Sequence, residues 1–575
     1  MFEKYGNIHA LRADYYPILG QLMEEIGLAG TINSIVQPYD TQVNVDAGTY
    51  VGLFIHHILG DVNIKMYKMD EFFKDKALPL LIPWKPDLSV VDINDDRAGR
   101  VLDALWEANP QQVFGAVVNS AIAVHGLSTD AVHVDTTSKS FHGAYKDDFE
   151  DETVPQVNLG YSKDHRPDLK QLIFGVGTTA DGVPIIGEVA NGNESDMTLN
   201  GRWVKNLRNI MQKEEDDEFL LYIADSSAVT TNNLRIRKEA NIDIISRLPG
   251  RFGIEDELKK KAFNTDEWTP VGKLSQEKDA ASYKVWDTSG EIDGQTYRFV
   301  VVHSDHKDKR KTKAVERSVK KEFDMNSKRI QKLLKRRFAC MEDAYIEINR
   351  HNSDFQMGYH DIEWNIEERT EALKRTKRGR PKKGDVRQFQ TGYYLSGRLL
   401  VREDAVNNAL ERCGMFVLIT TLMDAKKYPA RLVLEKYKGQ GNVERIFKFI
   451  KNPAWIGAFC LKKQERLASL GYVLMMAAVI YTLWERRVRM ALAVKDEKPI
   501  RGLNRQKTKK PTSYALQTVL SGILVLYMIH KGQMTIWLSK PLTNNQRRVV
   551  EMSGFTADIY CGQWKMTDKS QSSVL

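Results

Sequence analysis

The sequence predicts an α/β protein in which a mixed sheet is interrupted by a long insertion and flanked by a helical domain and a C-terminal extension. From about residue 130 to 250, short apolar segments rich in β-branched residues alternate with segments of helical spacing. A segment of the first kind returns at 414–422, beyond some 160 residues that lack this alternation. With 575 residues the chain is too long for one ordinary domain, so we expect several.

Residues 1–127 are predicted to form the mainly helical N-terminal domain. Apolar residues recur at helical intervals over 89–127, and Asn109-Pro110 divides this segment into two helices. The insertion is assigned to 250–410, with a strand-like segment at 295–305 followed by a long basic stretch of helical spacing. Residues 491–575 are assigned to a basic linker and the C-terminal extension.

The sheet is assigned to two segments, 128–249 and 411–490. Aspartate-glycine at 181–182 is a favourable hairpin turn, and a nearly continuous apolar run indicates a central strand covered on both faces. In chain order the predicted elements are a strand at 131–138 that ends near Asp135, a hairpin at 171–192, a helix at 194–212 capped by Ser195, a strand at 219–225, a helix at 232–241, and strands at 242–249 and 414–422.

Residues 437–451 are predicted to form one amphipathic helix. At roughly 100° per residue its polar and apolar side chains fall on opposite faces. The polar positions are Tyr437, Gln440, Glu444 and Lys451, and the apolar positions are Val443, Ile446, Phe447 and Ile450. The apolar face suits a protein core, whereas the polar face could be a solvated surface or part of a functional site.

Composition excludes several classes of protein. The four cysteines are scattered with no CxxC pair, which argues against a zinc site or a disulfide framework and fits a reducing cytoplasm. The first residues have no apolar core of a signal peptide. Segment 467–484 carries no charge over 18 positions, close to the lower limit for a membrane span. Because the rest of the chain is rich in charge, we interpret it as a buried core helix and expect no membrane association.

Positive charge is concentrated in a few places. Residues 307–337 contain 14 Lys or Arg and 4 Asp or Glu, and residues 485–510 contain 10 and 3. The net charge of the whole chain is only +9, so the remainder is acidic. Together with the linker RGRPKKG at 378–384, which includes Arg378 and Arg380, these blocks indicate a nucleic-acid partner. RGRPKKG resembles an AT-hook, although a basic linker would have the same composition.

Three acidic residues are candidates for a catalytic metal site. Asp135 and Asp225 each follow an apolar strand segment, and Glu444 lies on the helix after the returning strand. Each has another interpretation, since the aspartates could cap a turn or a helix and Glu444 could pair with Lys448. Together, three carboxylates are ligands suited to Mg²⁺ or Mn²⁺, and two such ions promote phosphodiester cleavage or transfer.

The order Asp135, Asp225, Glu444 resembles that of the RNase H-like DDE transposases of bacterial insertion sequences. The helix at 437–451 is similar to the Y-x₂-R-x₃-E-x₆-K signature of one large branch, with Gln440 in place of arginine. That change removes a fixed positive charge from a position that could contact phosphate. Further segments resemble members of transposase family eleven; they are GYSKDHRPDLKQ at 160–171, DGVPIIGEVANGNESD at 181–196, IADSS at 223–227 and IISRLP at 244–249.

The resemblance implies an enzyme that excises and reinserts an insertion sequence by hydrolysis and strand transfer. It implies that the three acids bind two Mg²⁺ or Mn²⁺ ions, and that Tyr437, Gln440 and Lys451 hold phosphates. The implied partners are double-stranded DNA, as terminal inverted repeats and target, and further copies of the chain in a dimer or larger assembly. The N-terminal domain would bind DNA ends or support assembly, and the protein would lie in the cytoplasm with the nucleoid.

Two further regions are candidates for DNA contact. The loop containing Lys163, His165, Arg166 and Lys170 could contact phosphate or could be a solvated turn. The linker with Arg378 and Arg380 could do the same from the insertion.

Two other functions fit the same residues. One is a nuclease of the same fold that cuts DNA without joining it. The other is a DNA-binding repressor derived from such an enzyme, although a repressor would be expected to lack one of the acids.

Overall fold

The structure is a computed structural model that describes most of the chain. The described residues are 8–38, 44–60, 68–143, 145, 153–164, 166–210, 220–275, 279–354, 358–373, 386–452, 461, 463–494, 497–502, 506–530 and 533–565. The predicted DNA contacts at His165, Arg378 and Arg380 lie outside these residues.

Helices account for most of the N-terminal region and alternate with strands in the rest of the chain. In chain order they are α1 (Tyr16–Glu25), α2 (Leu28–Asn33), α3 (Ala47–Ile58), α4 (Met69–Phe73), α5 (Leu78–Leu81), α6 (Asp95–Glu107), α7 (Pro110–His125), α8 (Asp196–Ile210), α9 (Thr231–Glu239), α10 (Ile254–Phe263), α11 (Lys309–Leu333), α12 (Met341–Asp354), α13 (Glu403–Arg412), α14 (Ala430–Lys438), α15 (Gly441–Ile450), α16 (Gln464–Ala493), α17 (Ser513–Leu520) and α18 (Asn544–Met552).

The strands begin with one at the N-terminus and are otherwise concentrated after residue 130. They are β1 (Ile8–Arg12), β2 (Ala131–Phe141), β3 (Lys170–Thr178), β4 (Pro184–Ala190), β5 (Leu221–Ala224), β6 (Asp243–Arg247), β7 (Thr269–Lys273), β8 (Ser282–Ile292), β9 (Gln295–Ser304), β10 (Arg337–Phe338), β11 (His360–Ala372), β12 (Phe389–Val401), β13 (Met415–Thr420), β14 (Ile500–Arg501), β15 (Lys507–Thr508), β16 (Leu524–His530), β17 (Gln533–Leu538) and β18 (Gly562–Lys565).

The chain divides into two compact units. The first comprises Met1–Arg247, Thr420–Asp424 and Glu435–Leu575, and the second comprises Leu248–Ile419 and Ala425–Leu434.

The first unit contains a mixed sheet with the strand order β4-β3-β2-β5-β6. β2, β3 and β4 pair antiparallel, whereas β2, β5 and β6 pair parallel. Gly182 makes the turn between β3 and β4 with φ of 85°, a conformation that glycine adopts without steric cost. The predictions of a mixed α/β sheet and of a helical N-terminal region are confirmed.

One continuous hydrophobic core joins the N-terminal helices, this sheet and α16. Among the described residues, α16 is the one helix long and apolar enough to cross a membrane, and its most apolar stretch is entirely buried within the protein. This burial agrees with the prediction of a core helix at 467–484. The same core includes C-terminal residues such as Val549 and Tyr560.

The C-terminal extension and the first strand build one sheet together. Its order is β1-β16-β17-β18, and all neighbouring pairs are antiparallel. No local pattern indicated this pairing, because β1 and β16 are separated by some 500 residues.

The second unit contains the strands β13, β9, β8 and β7 in that order, and a hairpin of β11 and β12 extended by β10. The predicted strand at 295–305 is β9, and the predicted basic helix is α11. In α11 only Asn326 and Ile330 are buried, so most of its lysine and arginine side chains face solvent or lie near the surface.

The segment 437–451, predicted as one helix, is divided in the structure. α14 ends at Lys438, and a turn at Gly439 and Gln440 precedes the start of α15 at Gly441. The prediction of a continuous helix is therefore wrong. Gly439 lies in this turn and Gly441 follows it, and each glycine lowers the helical preference of the chain by about 1 kcal/mol relative to alanine.

The apolar face predicted within this segment is present on α15. Its four apolar side chains pack into the core of the first unit, and they are Val443, Ile446, Phe447 and Ile450.

Gly439 is required where the turn meets the sheet, because it lies against the buried ring of His133 on β2. A Cβ atom at position 439 would be 2.6 Å from Cε1 of His133, whereas one at Gly441 would meet no heavy atom within 4 Å. We expect G439A to lower the free energy of unfolding by about 1–3 kcal/mol. The matched variant G441A should leave it within about 0.5 kcal/mol or raise it. Urea unfolding measures both, and equal losses would contradict the expected clash.

Candidate active site

The pairing of β2 with β5 places Asp135 beside Asp225. The two strands are parallel, and their last paired residues are Val134 and Ala224. Asp135 and Asp225 are the next residues in the chain after this pair, so both carboxylates lie at the edge where β5 ends. Side chains at this edge of a parallel sheet are commonly part of a functional site.

Asp135 lies within β2 and not at its end, so the predicted strand boundary is wrong. Beyond Asp135 the strand continues to Phe141 through an antiparallel pairing with β3, from Asp135 opposite Val176 to Phe141 opposite Lys170. The polar residues of this part reduce the apolar signal in the sequence, although their side chains are largely buried in the structure.

Hydrogen bonds fix the orientation of Asp225. Its Oδ1 accepts hydrogen bonds from the backbone N–H of Ser227, at 2.9 Å, and from the Ser227 hydroxyl. The Ser227 hydroxyl in turn accepts from the amide of Asn200 at 3.0 Å, and Tyr222 donates to the oxygen of Asn200. The predicted alternative role of Asp225, capping a helix, is thus present, since it begins the short 3₁₀ turn after β5. Within the described part of the chain, no hydrogen bond to Oδ2 of Asp225 accompanies this capping.

The carboxyl of Asp135 lies in an environment that disfavours its charge. Burial, the largest cause, raises its pKa to about 7; Lys163 opposes the rise, and Asp225 and Asp196 add to it. A like charge nearby and partial removal from water both favour the protonated acid, and a bound cation would reverse that preference. The pair is therefore poised to attract positive charge.

A third aspartate, Asp196, joins this site through Lys163 and Thr136. The ammonium of Lys163 is 2.9 Å from Oδ2 of Asp196, and it donates to the carbonyl and the hydroxyl of Thr136 at 2.7 Å each. The Thr136 hydroxyl donates to Oδ1 of Asp196 at 2.5 Å. These contacts connect the first turn of α8 with the residue that follows Asp135.

Glu444 lies in a surface groove that also contains Thr137 of β2. The groove has a volume of about 580 Å³, and Phe447 and Lys451 contribute to its lining. Glu444 is exposed. The alternative of an ion pair with Lys448 is not seen among the described contacts.

The structure thus brings together two of the three predicted acids. Within the described ranges, no three His, Cys, Asp or Glu side chains lie close enough together to share a metal ion. Asp135 and Asp225 are adjacent, whereas Glu444 faces the same strand from α15. A role for Glu444 as third ligand stays a prediction.

Tyr437 lies near the two aspartates, and Gln440 follows it by three residues in the turn before α15. Burial raises the pKa of the Tyr437 phenol to about 12; Arg247 opposes the rise, and Asp225 and Asp135 add to it. The amide nitrogen of Gln440 is buried, and it has no hydrogen-bond partner in the described part of the chain. A buried donor without a partner costs free energy, which a ligand oxygen would recover.

Lys451 and Arg166 are held by acidic neighbours in the loop 160–170. Lys451 forms an ion pair with Asp164 at 2.6 Å, and its carbonyl accepts a hydrogen bond from Lys139. Arg166 is exposed and pairs with Asp168 at 2.6 Å. Both cations are near the surface, where such pairs are weak and exchange readily with other anions.

Sequence reasoning missed Asp196, Asn200 and Ser227. In the segment at 194–212, only the helix and its cap at Ser195 are predicted from the sequence. A signal was present: Asp196 and Asn200 are four residues apart, on one face of a helix whose other face is apolar. Such a polar pair, on a helix between the strands that precede Asp135 and Asp225, could have indicated that this helix contributes to the acidic site.

Two family models match the chain. One, described as a transposase DDE domain, covers residues 128–480, which is more than half of the 575 residues. The chain belongs to the DDE transposase family. The other, described as a domain of unknown function (DUF4277), covers residues 8–119 of this transposase and so includes α1 to α6. No curated protein is significantly similar to the chain.

The matched range of the transposase domain contains β2 to β6, helix α15 and the long segment that lies between them in the chain. Asp135, Asp225 and Glu444 all lie within it. Membership of the family shows a transposase that acts on DNA, and DDE transposases in general use divalent metal ions.

Proposed function

We propose that this transposase excises and reinserts an insertion sequence by hydrolysis and strand transfer at a two-metal site of Asp135, Asp225 and Glu444. The single observation that carries the proposal is the adjacency of Asp135 and Asp225 at the end of β5. The two are 90 residues apart in the chain, and the parallel register brings their carboxylates together.

We further propose that the protein has the RNase H-like fold, and that it belongs to transposase family eleven and to the branch with the Y-x₂-[R/Q]-x₃-E-x₆-K signature.

The residues present fit a divalent cation. Asp135 and Asp225 are adjacent, half-buried carboxylates, and burial raises the pKa of Asp135, so the pair is a hard oxygen site short of positive charge. Two bound Mg²⁺ or Mn²⁺ ions would activate the attacking oxygen and stabilise the leaving oxygen of a phosphodiester. In this proposal Ser227 holds Asp225 in place, and the groove beside Thr137 gives Glu444 access to the same edge of the sheet.

Phosphate binding is assigned to residues near this edge. Gln440 supplies an amide donor that has no partner within the described chain. Tyr437 is held protonated by its raised pKa, so its hydroxyl is also able to donate. Lys451 and Arg166 exchange Asp164 and Asp168 for DNA phosphates, and Arg378 and Arg380 add contacts from the insertion. A neutral glutamine makes the contact at position 440 weaker than an arginine would.

The proposed partners are the terminal inverted repeats of the element, a target duplex and at least one further copy of the chain. The site of action is the cytoplasm, in association with the nucleoid. The exposed cations of α11 are suited to the phosphate backbone, since their contacts would be independent of base sequence.

The proposal is tested with DNA that carries the inverted repeats flanking the reading frame, incubated with Mg²⁺, Mn²⁺ or EDTA. We expect metal-dependent cuts at the repeat ends and joined products with a target plasmid. Glu444→Gln keeps the shape of the side chain and removes its charge, so both products should fall by at least about 10²-fold. Glu239→Gln is the matched control, because Glu239 is an exposed acid at the end of α9 that pairs with Arg235.

The outcomes separate the candidate functions. Cuts without joined products would replace the transposition proposal with a nuclease. Binding without cuts, unchanged in the Glu444→Gln variant, would support a repressor.

A further inference from the structure

Lys163 holds its ammonium inside the acidic site and not on its surface. The backbone N–H of Lys163 donates to the hydroxyl of Ser138 at 3.0 Å, which ties the loop to β2. Its Nζ then reaches Thr136 and Asp196 through three contacts of 2.7 to 2.9 Å. The Lys163 side chain is 28% exposed. With these three contacts, its ammonium is held more firmly than that of a fully solvated lysine.

The charges around this ammonium do not balance. Asp135 interacts electrostatically with Lys163 and with two other carboxylates, Asp225 and Asp196. Lys163 thus interacts with two of these acids, Asp196 and Asp135, and Asp225 adds a third negative charge beside Asp135. The site is partly buried, where charges interact more strongly than in water. Lys163 contacts Thr136, the residue after Asp135, so its positive charge lies close to the place where a divalent ion would bind.

We propose that Lys163 is a built-in cation of the site. It offsets repulsion among Asp135, Asp225 and Asp196 when no divalent ion is bound, and it lowers the affinity of the site for divalent ions. The second part rests on the proposed function, because it takes Asp135 and Asp225 as metal ligands. This role differs from the phosphate contact that the sequence suggested for Lys163.

The offset of repulsion is tested without metal, by thermal unfolding in EDTA at pH 8. K163Q keeps a hydrogen-bond donor and removes the charge, and we expect it to lower the melting temperature by about 1–3 °C. In a D135N background the same substitution should cost less than half as much, because one of the repelling charges is absent. K163R should stay near the wild type.

An equal cost of K163Q in both backgrounds would overturn the proposal. If K163Q alone does not fold, the double variant decides instead: folding restored by D135N supports the offset, and failure to restore it overturns it.

The effect on metal affinity is tested by equilibrium binding of Mn²⁺, measured from the electron paramagnetic resonance signal of the free ion. We expect K163Q to bind Mn²⁺ about 3- to 10-fold more tightly than the wild type, since a nearby like charge is removed. If K163Q only damaged the structure, Mn²⁺ binding would become weaker. The direction of the change in affinity therefore distinguishes removal of the charge from loss of structure. R235Q removes a positive charge from exposed α9 and should leave the affinity unchanged.

Unchanged or weaker binding in folded K163Q would overturn the second part of the proposal. If the wild type binds no Mn²⁺, the proposed metal site fails, and the unfolding experiment in EDTA still decides whether Lys163 offsets the repulsion.

Discussion

Replacing Asp225 with asparagine is expected to reduce DNA cleavage by at least about 10³-fold while the protein stays folded and bound to DNA. An asparagine Oδ1 can still accept the hydrogen bonds from Ser227, so the turn after β5 should persist. Only the charge is lost. Because the carboxylate is proposed to hold a cation directly, loss of charge should act on the chemical step and not on the fold.

The measurement is single-turnover cleavage of repeat-end DNA in Mg²⁺, with binding followed separately by gel shift. Ser227→Ala provides a graded comparison, because it removes the hydroxyl that orients Asp225 and leaves the carboxylate. We expect it to cost about 10-fold. Cleavage by D225N within 10-fold of the wild type would contradict the assignment of Asp225.

Replacing Asp135 with asparagine is expected to stabilise the folded protein, and to do so more at pH 8 than at pH 4. The carboxyl of Asp135 has a pKa of about 7 in the folded state against an ordinary 3.8. Between these values the folded protein binds a proton that the unfolded chain has released, so wild-type stability falls as pH rises from about 4 to about 7. Asparagine carries no such proton.

The size of this effect follows from the shift of the pKa, reduced for the partial exposure of the site. We expect D135N to be more stable than the wild type by about 1–2 kcal/mol at pH 8 and by little at pH 4. Urea unfolding in EDTA at several pH values gives the difference, with Glu239→Gln as a control. A difference that does not change with pH would contradict the raised pKa. D135N should also be inactive in DNA cleavage. A variant that is more stable but inactive would show that Asp135 lowers the stability of the protein in favour of its function.

The elements with strong local patterns were predictable. The apolar runs of β5, β6 and β13 and the helical spacing of α15 reflect burial on fixed faces, and burial leaves a periodic signal in the sequence. The predicted end of β2 was wrong because its polar residues are held by pairing with β3, which is not a local property. The break before α15 was missed because apolar periodicity continues across it, although Gly439 and Gly441 were visible.

The order and type of the residues were enough to select candidate acids for the site and to indicate the DDE transposase family to which the chain belongs. Asp135, Asp225 and Glu444 could be selected because strand-like and helical patterns precede them and because carboxylates suit hard cations. Folding in three dimensions was needed to make Asp135 and Asp225 adjacent, to bring Lys163 and Asp196 into the same site, and to set Glu444 apart on α15. Strand register and the approach of distant side chains depend on how whole elements pack, and no short segment of the chain encodes them.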